Sequence, residues 1–287
     1  MTFLARLAST VGLWAIMLAT VFGGYDIGFF CLLAGLALLA LREYYRMLKA
    51  DGIGVFTLTG MTIAVVLLAG GFLIMRTSGP DNAYDFELAV LVLFLFVIFT
   101  RQMFRGAGRD PLRAMSYTVF GLLYIPWLFS FITKIIYLTP RAADGATTGQ
   151  YYVLYLVMVT KFSDMGAYCV GSLIGKHKMI PRVSPGKTWE GFGGAIVVST
   201  GVSLLFAYLA GPRLYGMTWV HAMILGVVLS VAAVVGDLIE SIFKREAGLK
   251  DSGKFFPGIG GILDLLDSLL FNAPLMYLYL RHVLTHD

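Results

Sequence analysis

The chain returns repeatedly to runs of about 20 apolar residues, the length that crosses a bilayer as one helix. Only short polar stretches separate them. No water reaches backbone N–H and C=O groups inside a bilayer, so such runs must satisfy those groups internally, as helices. Apolar residues make up 58% of the chain and charged residues only 14%. A soluble domain carries about 25% charged residues. The sequence therefore predicts an all-α, polytopic integral membrane protein. Nearly every stretch is span or short loop, so one membrane domain over 1–287 is expected.

Nine spans can be drawn, at 8–23, 25–45, 54–75, 85–104, 114–138, 150–171, 189–210, 217–243 and 260–280. The first is short, and the break at Gly23, Gly24, Tyr25 and Asp26 is the weakest boundary; fusing or half-inserting there gives eight. Arg6 precedes an apolar run with no clear small-residue cleavage site, so a retained first span is expected rather than a signal peptide. With the N-terminus inside, sixteen of the 22 Lys and Arg residues fall on inner loops and four on outer ones. That bias predicts a cytoplasmic side for the loops around 176–187 and 244–254. It also accounts for the net charge of +5. No basic face outside the membrane is long enough for nucleic acid. Cys31 and Cys169 lie in apolar segments, without disulfide or zinc spacing.

The polar content that matters lies in the second half. Asp237 and Glu240 are three residues apart, as are Asp264 and Asp267, so each pair shares a helix face. Between them run Ser241, Lys244, Arg245, Lys250, Asp251, Pro257, Gly258, Gly260 and Gly261. Ionisable groups beside apolar spans are costly and point to function. Carboxylates suit hard cations such as Mg²⁺, which usually also holds substrate phosphates. Lys and Arg suit phosphate oxygens. The stretch reads as a metal-plus-phosphate site at a membrane edge. Lys250, Asp251 and Lys254 fit a solvated loop face equally well. The first four spans carry no ionisable residue near their middles and read as scaffold, so 1–150 is expected to support catalytic helices and loops in 151–287. Lys134 is expected to snorkel to the outer interface.

A second polar stretch starts at Lys161 and Asp164, which are spaced to neutralise each other on a helix. The alternative has Asp164 facing a polar cavity shared with Asp237 and Asp264. Gly175 to Lys187 holds four cations among glycines and prolines, which keep it out of regular helix. Ser184, Lys187 and Thr188 around Gly186, followed by Glu190 and Gly191, would suit a polyphosphate cradle. The spacing is not that of a Walker A loop.

These two stretches resemble the phosphatidate cytidylyltransferase (CDP-diacylglycerol synthase) family. Ser241, Lys244, Arg245, Lys250, Asp251, Pro257, Gly260, Gly261, Asp264 and Asp267 occupy the places of its signature. Asp164, Ala167, Tyr168, Gly171, Gly175, Lys176, Pro181, Ser184, Pro185, Lys187, Thr188, Glu190 and Gly191 are similar to its upstream region. The chain departs from the pattern at Ile259, where His is usual, at Leu265, where Arg is usual, and at Ser172, where Arg is common.

The resemblance implies condensation of CTP with phosphatidic acid to CDP-diacylglycerol and diphosphate, dependent on Mg²⁺, in phospholipid synthesis. It also implies a homodimer in the bacterial inner membrane, with a polar cavity open to the cytoplasm. On that footing Asp237 and Asp264 are expected to bind Mg²⁺, with Asp267 a further or second-cation ligand. Lys187, Lys244 and Arg245 would contact the triphosphate or lipid phosphate. Ser184 and Thr188 would offer hydroxyls, and Asp164 would line the cavity. Lys250 and Asp251 are further candidates, and Gly258, Gly260 and Gly261 would let the chain approach a phosphate closely. Glu240 is equally suited to a hydrogen bond inside the protein. Two other readings compete. One is a CTP-using lipid kinase, which would release CDP. The other is a cation-coupled transporter, which should show broken helices and inverted symmetry; no such symmetry is found. A CDP-alcohol phosphotransferase motif is absent.

Overall fold

The computed structural model describes residues 3–24, 26–105, 110–138, 149–246, 252–253 and 260–284. It is all-α apart from one small hairpin. The helices are α1 (Phe3–Phe22), α2 (Asp26–Ala50), α3 (Thr57–Ser78), α4 (Pro80–Arg105), α5 (Pro111–Leu122), α6 (Leu128–Leu138), α7 (Gly149–Ile174), α8 (Trp189–Ala210), α9 (Trp219–Glu246) and α10 (Ile262–Tyr279). Among the described residues, eight helical stretches are long and apolar enough to cross a membrane. Val11–Phe22 is a shorter apolar helix, at the place where the expected first span was shortest. One span, Pro111–Leu138, joins α5 and α6 through a π-helical turn at Leu123–Trp127 that contains Pro126. Proline brings no N–H and clashes with the preceding turn, and a π turn accommodates both without ending the helix.

The chain forms two compact units that interleave in sequence: Met1–Thr133 with Glu246–Leu266, and Lys134–Arg245 with Asp267–Asp287. The first is built round two buried tyrosines of α2, Tyr44 and Tyr45. The Tyr45 hydroxyl donates to the Thr118 carbonyl at 2.8 Å. The Thr118 hydroxyl accepts from the Phe56 N–H at 3.0 Å, so one threonine of α5 ties α2 to the start of α3. Such bonds matter because a polar atom left unpaired in an apolar core is costly.

In the second unit α7 and α8 lie close along a stripe of small residues. A Cβ added at Gly166 would sit 2.8 Å from the Gly194 carbonyl, and one at Gly194 would sit 2.9 Å from that of Gly166. Lipid gives helices no hydrophobic reason to associate, so close backbone approach is what holds them. Side-chain bonds join further helices to this pair: Asn272 of α10 donates to Thr160 Oγ1 of α7 at 2.7 Å, and Ser199 of α8 to the Gly226 carbonyl of α9 at 3.0 Å. Lys134 departs from expectation. It is 2% exposed, so its ammonium is buried in the protein rather than extended to an interface.

Between α7 and α8 the chain makes an antiparallel hairpin, β1 (Lys178–Ile180) and β2 (Ser184–Thr188), with Lys178 opposite Thr188 and Ile180 opposite Ser184. The prolines and glycines that excluded helix here leave room for a two-strand turn.

Candidate active site

Local chemistry fixes the hairpin to the helices that follow. Thr188 is extended and caps α8, its hydroxyl accepting from the Gly191 N–H at 3.1 Å. An N-cap hydroxyl satisfies one of the amides that a helix start leaves open. Glu190 reaches the other way. Its carboxylate accepts from the Lys176 N–H at 3.1 Å and pairs with His177 Nδ1 at 2.6 Å, tying the exit of α7 to the entry of α8. β2 then presents Lys187 toward α9. Lys187 Nζ lies 2.9 Å from Asp237 and also donates to the Val234 carbonyl at 3.1 Å.

Three carboxylates gather within the second unit. Oxygens of Asp237 and Glu240, one turn apart on α9, and of Asp267 on α10 lie within 4.8 Å of one another. Glu240 is 0% exposed and Asp267 7%. Glu240 forms an ion pair with Lys244 one turn later. Ser241 donates to Asp237 at 3.4 Å. On α7, Asp164 pairs with Lys161 at 3.7 Å and accepts from Ser268 at 3.3 Å. Both readings of Asp164 thus hold in part: it is paired with Lys161, and it lines a cavity that Asp237 also lines. That cavity is about 510 Å³, and Lys178, Ser184, Lys187 and Thr188 contribute to its wall. The start of α8 therefore opens onto it, and helix starts favour anions. Arg245 donates to the Val183 carbonyl at 3.2 Å, in the turn of the hairpin.

Asp264 has a different setting, in the first unit. It accepts from the Gly261 N–H at 2.7 Å and the Ser252 N–H at 3.2 Å. Gly261 precedes the first residue of α10 and Asp264 is the third, so the side chain folds back on its own helix start, half of a capping box. Gly260 has φ +116°, a backbone shape that other residues rarely adopt. A second carboxylate joins this turn from α2. Glu43 accepts from the Leu263 N–H at 3.1 Å and the Ser252 hydroxyl at 3.5 Å. Glu43 is not foreseen from the sequence. Arg42 and Arg46 flank it, and Glu and Arg three apart look like an ordinary surface pair. Lys250, Asp251 and Gly258 lie outside the described residues.

Comparison with known proteins identifies this frame. The profile of the Cytidylyltransferase family matches residues 4–283. The chain belongs to that family. It is 35% identical over 257 residues to the phosphatidate cytidylyltransferase of Mycobacterium leprae, an overlap covering 84% of this chain and 76% of that one. Identity to the phosphatidate cytidylyltransferase of Bacillus subtilis is 31% over 253 residues, 88% of each chain. The uncharacterized protein YnbB of Escherichia coli K12 is 32% identical over 202 residues, 70% of this chain and 65% of its own. Membership makes the chain a cytidylyltransferase-family enzyme set in membrane-spanning helices.

Proposed function

We propose that the protein is a phosphatidate cytidylyltransferase, joining CTP and phosphatidic acid into CDP-diacylglycerol and diphosphate. The observation that carries this is the trio Asp237, Glu240 and Asp267 in apolar helices of the unit whose 510 Å³ cavity is lined by Lys178, Lys187 and the start of α8. The two named relatives lend the lipid substrate.

The donor set fits Mg²⁺. All three groups are hard oxygen donors, and the repulsion among carboxylates this close is relieved by a cation between them. Asp237, Glu240 and Asp267 would hold the ion, and when bound it would neutralise charge on the phosphates. This assigns Glu240 a ligand role beside the expected Asp237 and Asp267. Asp264, whose described contacts are with amides, is assigned to shaping the start of α10.

An oxygen of the lipid phosphate attacks the α-phosphorus of CTP. The new P–O bond forms as the bond to the bridging oxygen of the β-phosphate breaks, and diphosphate leaves with the electron pair. The attacking oxygen is already anionic, so no strong general base is needed. Repulsion between anions dominates the barrier, so positioning and positive charge carry the catalysis. Lys178 and Lys187 supply that charge along the cavity wall, beside the positive end of the α8 dipole. Ser184 offers a hydroxyl, Arg245 holds α9 to the hairpin turn, and Lys244 balances the charge of Glu240. A cytoplasmic position for this face, where CTP is, is supported by the Lys and Arg bias of the loops.

The test uses purified protein in mixed micelles with CTP, dioleoyl phosphatidic acid and Mg²⁺. Diphosphate release and CDP-lipid formation that need all three components are expected. Release of CDP instead would make the enzyme a lipid kinase, and transport of substrate without CTP turnover would make it a carrier.

A further inference from the structure

We propose that Glu43, on α2, is a positioning residue for the reaction: its carboxylate sets where α10 begins, and so where Asp267 stands one turn into that helix. The proposal rests on the cytidylyl-transfer reading above.

The first amides of an α-helix have no partner within the helix. At α10 two of these donors are met by carboxylates. The Gly261 N–H goes to Asp264 at 2.7 Å, and the Leu263 N–H goes to Glu43 at 3.1 Å. Ser252 links the two acids, its N–H bonded to Asp264 at 3.2 Å and its hydroxyl to Glu43 at 3.5 Å. The knot is buried: Glu43 is 6% exposed and Ser252 4%. It is also built to size. A Cβ on Gly261 would lie 2.6 Å from Glu43 Oε2, so only glycine leaves room for the acid. A surface glutamate would need neither the burial nor the two partners. An acid at this depth is expensive unless its bonds do something that a neutral residue would not. Here they give a fixed origin to the helix that bears Asp267, and negative charge beside a helix start is itself favourable. Side chains in a catalytic constellation must be held to a fraction of an ångström, so a loose helix origin is felt one turn later.

The experiment uses the full chain in lipid nanodiscs, without substrates. Hydrogen exchange is followed at Ser252 and Leu263, together with the Mg²⁺ concentration that half-stabilises the protein against heat. In Glu43→Ala, exchange at both amides is expected to quicken about tenfold, and the Mg²⁺ midpoint to rise about tenfold, the worth of one charged hydrogen bond. Glu43→Gln keeps an acceptor oxygen and should stay within about twofold of wild type on both counts. If Glu43→Ala does not fold, Ser252→Ala takes its place, with shifts of the same sign and smaller size. Wild-type exchange and midpoint in the folded variant overturn the proposal. So does faster exchange with an unchanged midpoint, which would leave Glu43 merely structural. Failure of the wild type to release diphosphate in micelles would instead count against the reaction, and leaves these two readouts to be judged separately.

Discussion

Two groups of acids in this protein use the same functional group for opposite ends. Asp237, Glu240 and Asp267 face one another within 4.8 Å, with Lys187 and Lys244 beside them. Glu43 and Asp264 face amides and a hydroxyl. The first group sets like charges close together, with Lys187 and Lys244 as its described counter-charges, and on the proposed reading a bound cation completes the balance. The second takes hydrogen bonds from the Gly261, Ser252 and Leu263 amides and the Ser252 hydroxyl. The contrast teaches that a carboxylate beside a membrane span is not by itself a ligand; what its oxygens face decides.

Asp267→Asn should show the largest effect. On the proposed reading it removes a charge at the metal site, and loss of one electrostatic group at a reacting centre typically costs on the order of 100-fold or more in turnover. The same change relieves repulsion among three close acids. The Mg²⁺-free variant should therefore melt no lower than wild type while its stabilisation by Mg²⁺ disappears. Diphosphate release and melting with and without Mg²⁺ check both halves. A variant that melts lower without Mg²⁺ would break the contrast, because Asp267 would then be structural.

Glu43→Ala should behave in the opposite sense. It strips an acceptor from the buried Leu263 N–H and Ser252 hydroxyl, at about 1–3 kcal/mol. Melting should fall even without Mg²⁺. If it does not, the turn is not held by this acid.

How far the sequence foretells this pattern follows from what each acid faces. The paired spacing of Asp237 with Glu240 and of Asp264 with Asp267 is legible because helices repeat every three to four residues. The apolar runs give the membrane helices, and the predicted span at 150–171 is found as α7, Gly149–Ile174. Which acids gather is not legible. Asp264 is third in its helix, within reach of the Gly261 amide, and that position turns it back on the helix start. Glu43 is hidden by Arg42 and Arg46, since nothing in a local pattern reveals a partner more than 200 residues away. The hairpin at 178–188 is legible only as the absence of helix, because strands of three and five residues are too short for alternation to register.

Lys187→Met sharpens the comparison from the cation side. Lys187 Nζ lies 2.9 Å from Asp237, and its loss leaves that acid with less compensation and the cavity wall with one cation fewer. The KM for CTP is expected to rise on the order of tenfold, about the worth of one charge-assisted hydrogen bond. A KM unchanged with kcat lowered would place Lys187 against the departing diphosphate rather than the bound nucleotide.

The smallest effect is expected at Thr188, where the two kinds of role meet in one side chain. Its hydroxyl oxygen accepts from the Gly191 N–H as the cap of α8, and the residue also lines the cavity. Thr188→Ala removes both functions and should cost about 1 kcal/mol of stability from the lost cap. Thr188→Asn keeps a capping oxygen, since asparagine is among the best N-caps, but loses the hydroxyl. Stability restored in Thr188→Asn with the KM for CTP still raised would assign the hydroxyl a contact with substrate. Stability and KM restored together would leave Thr188 a cap alone. The start of α8 would then attract phosphate through its dipole and Lys187, with the Thr188 hydroxyl kept on the Gly191 N–H.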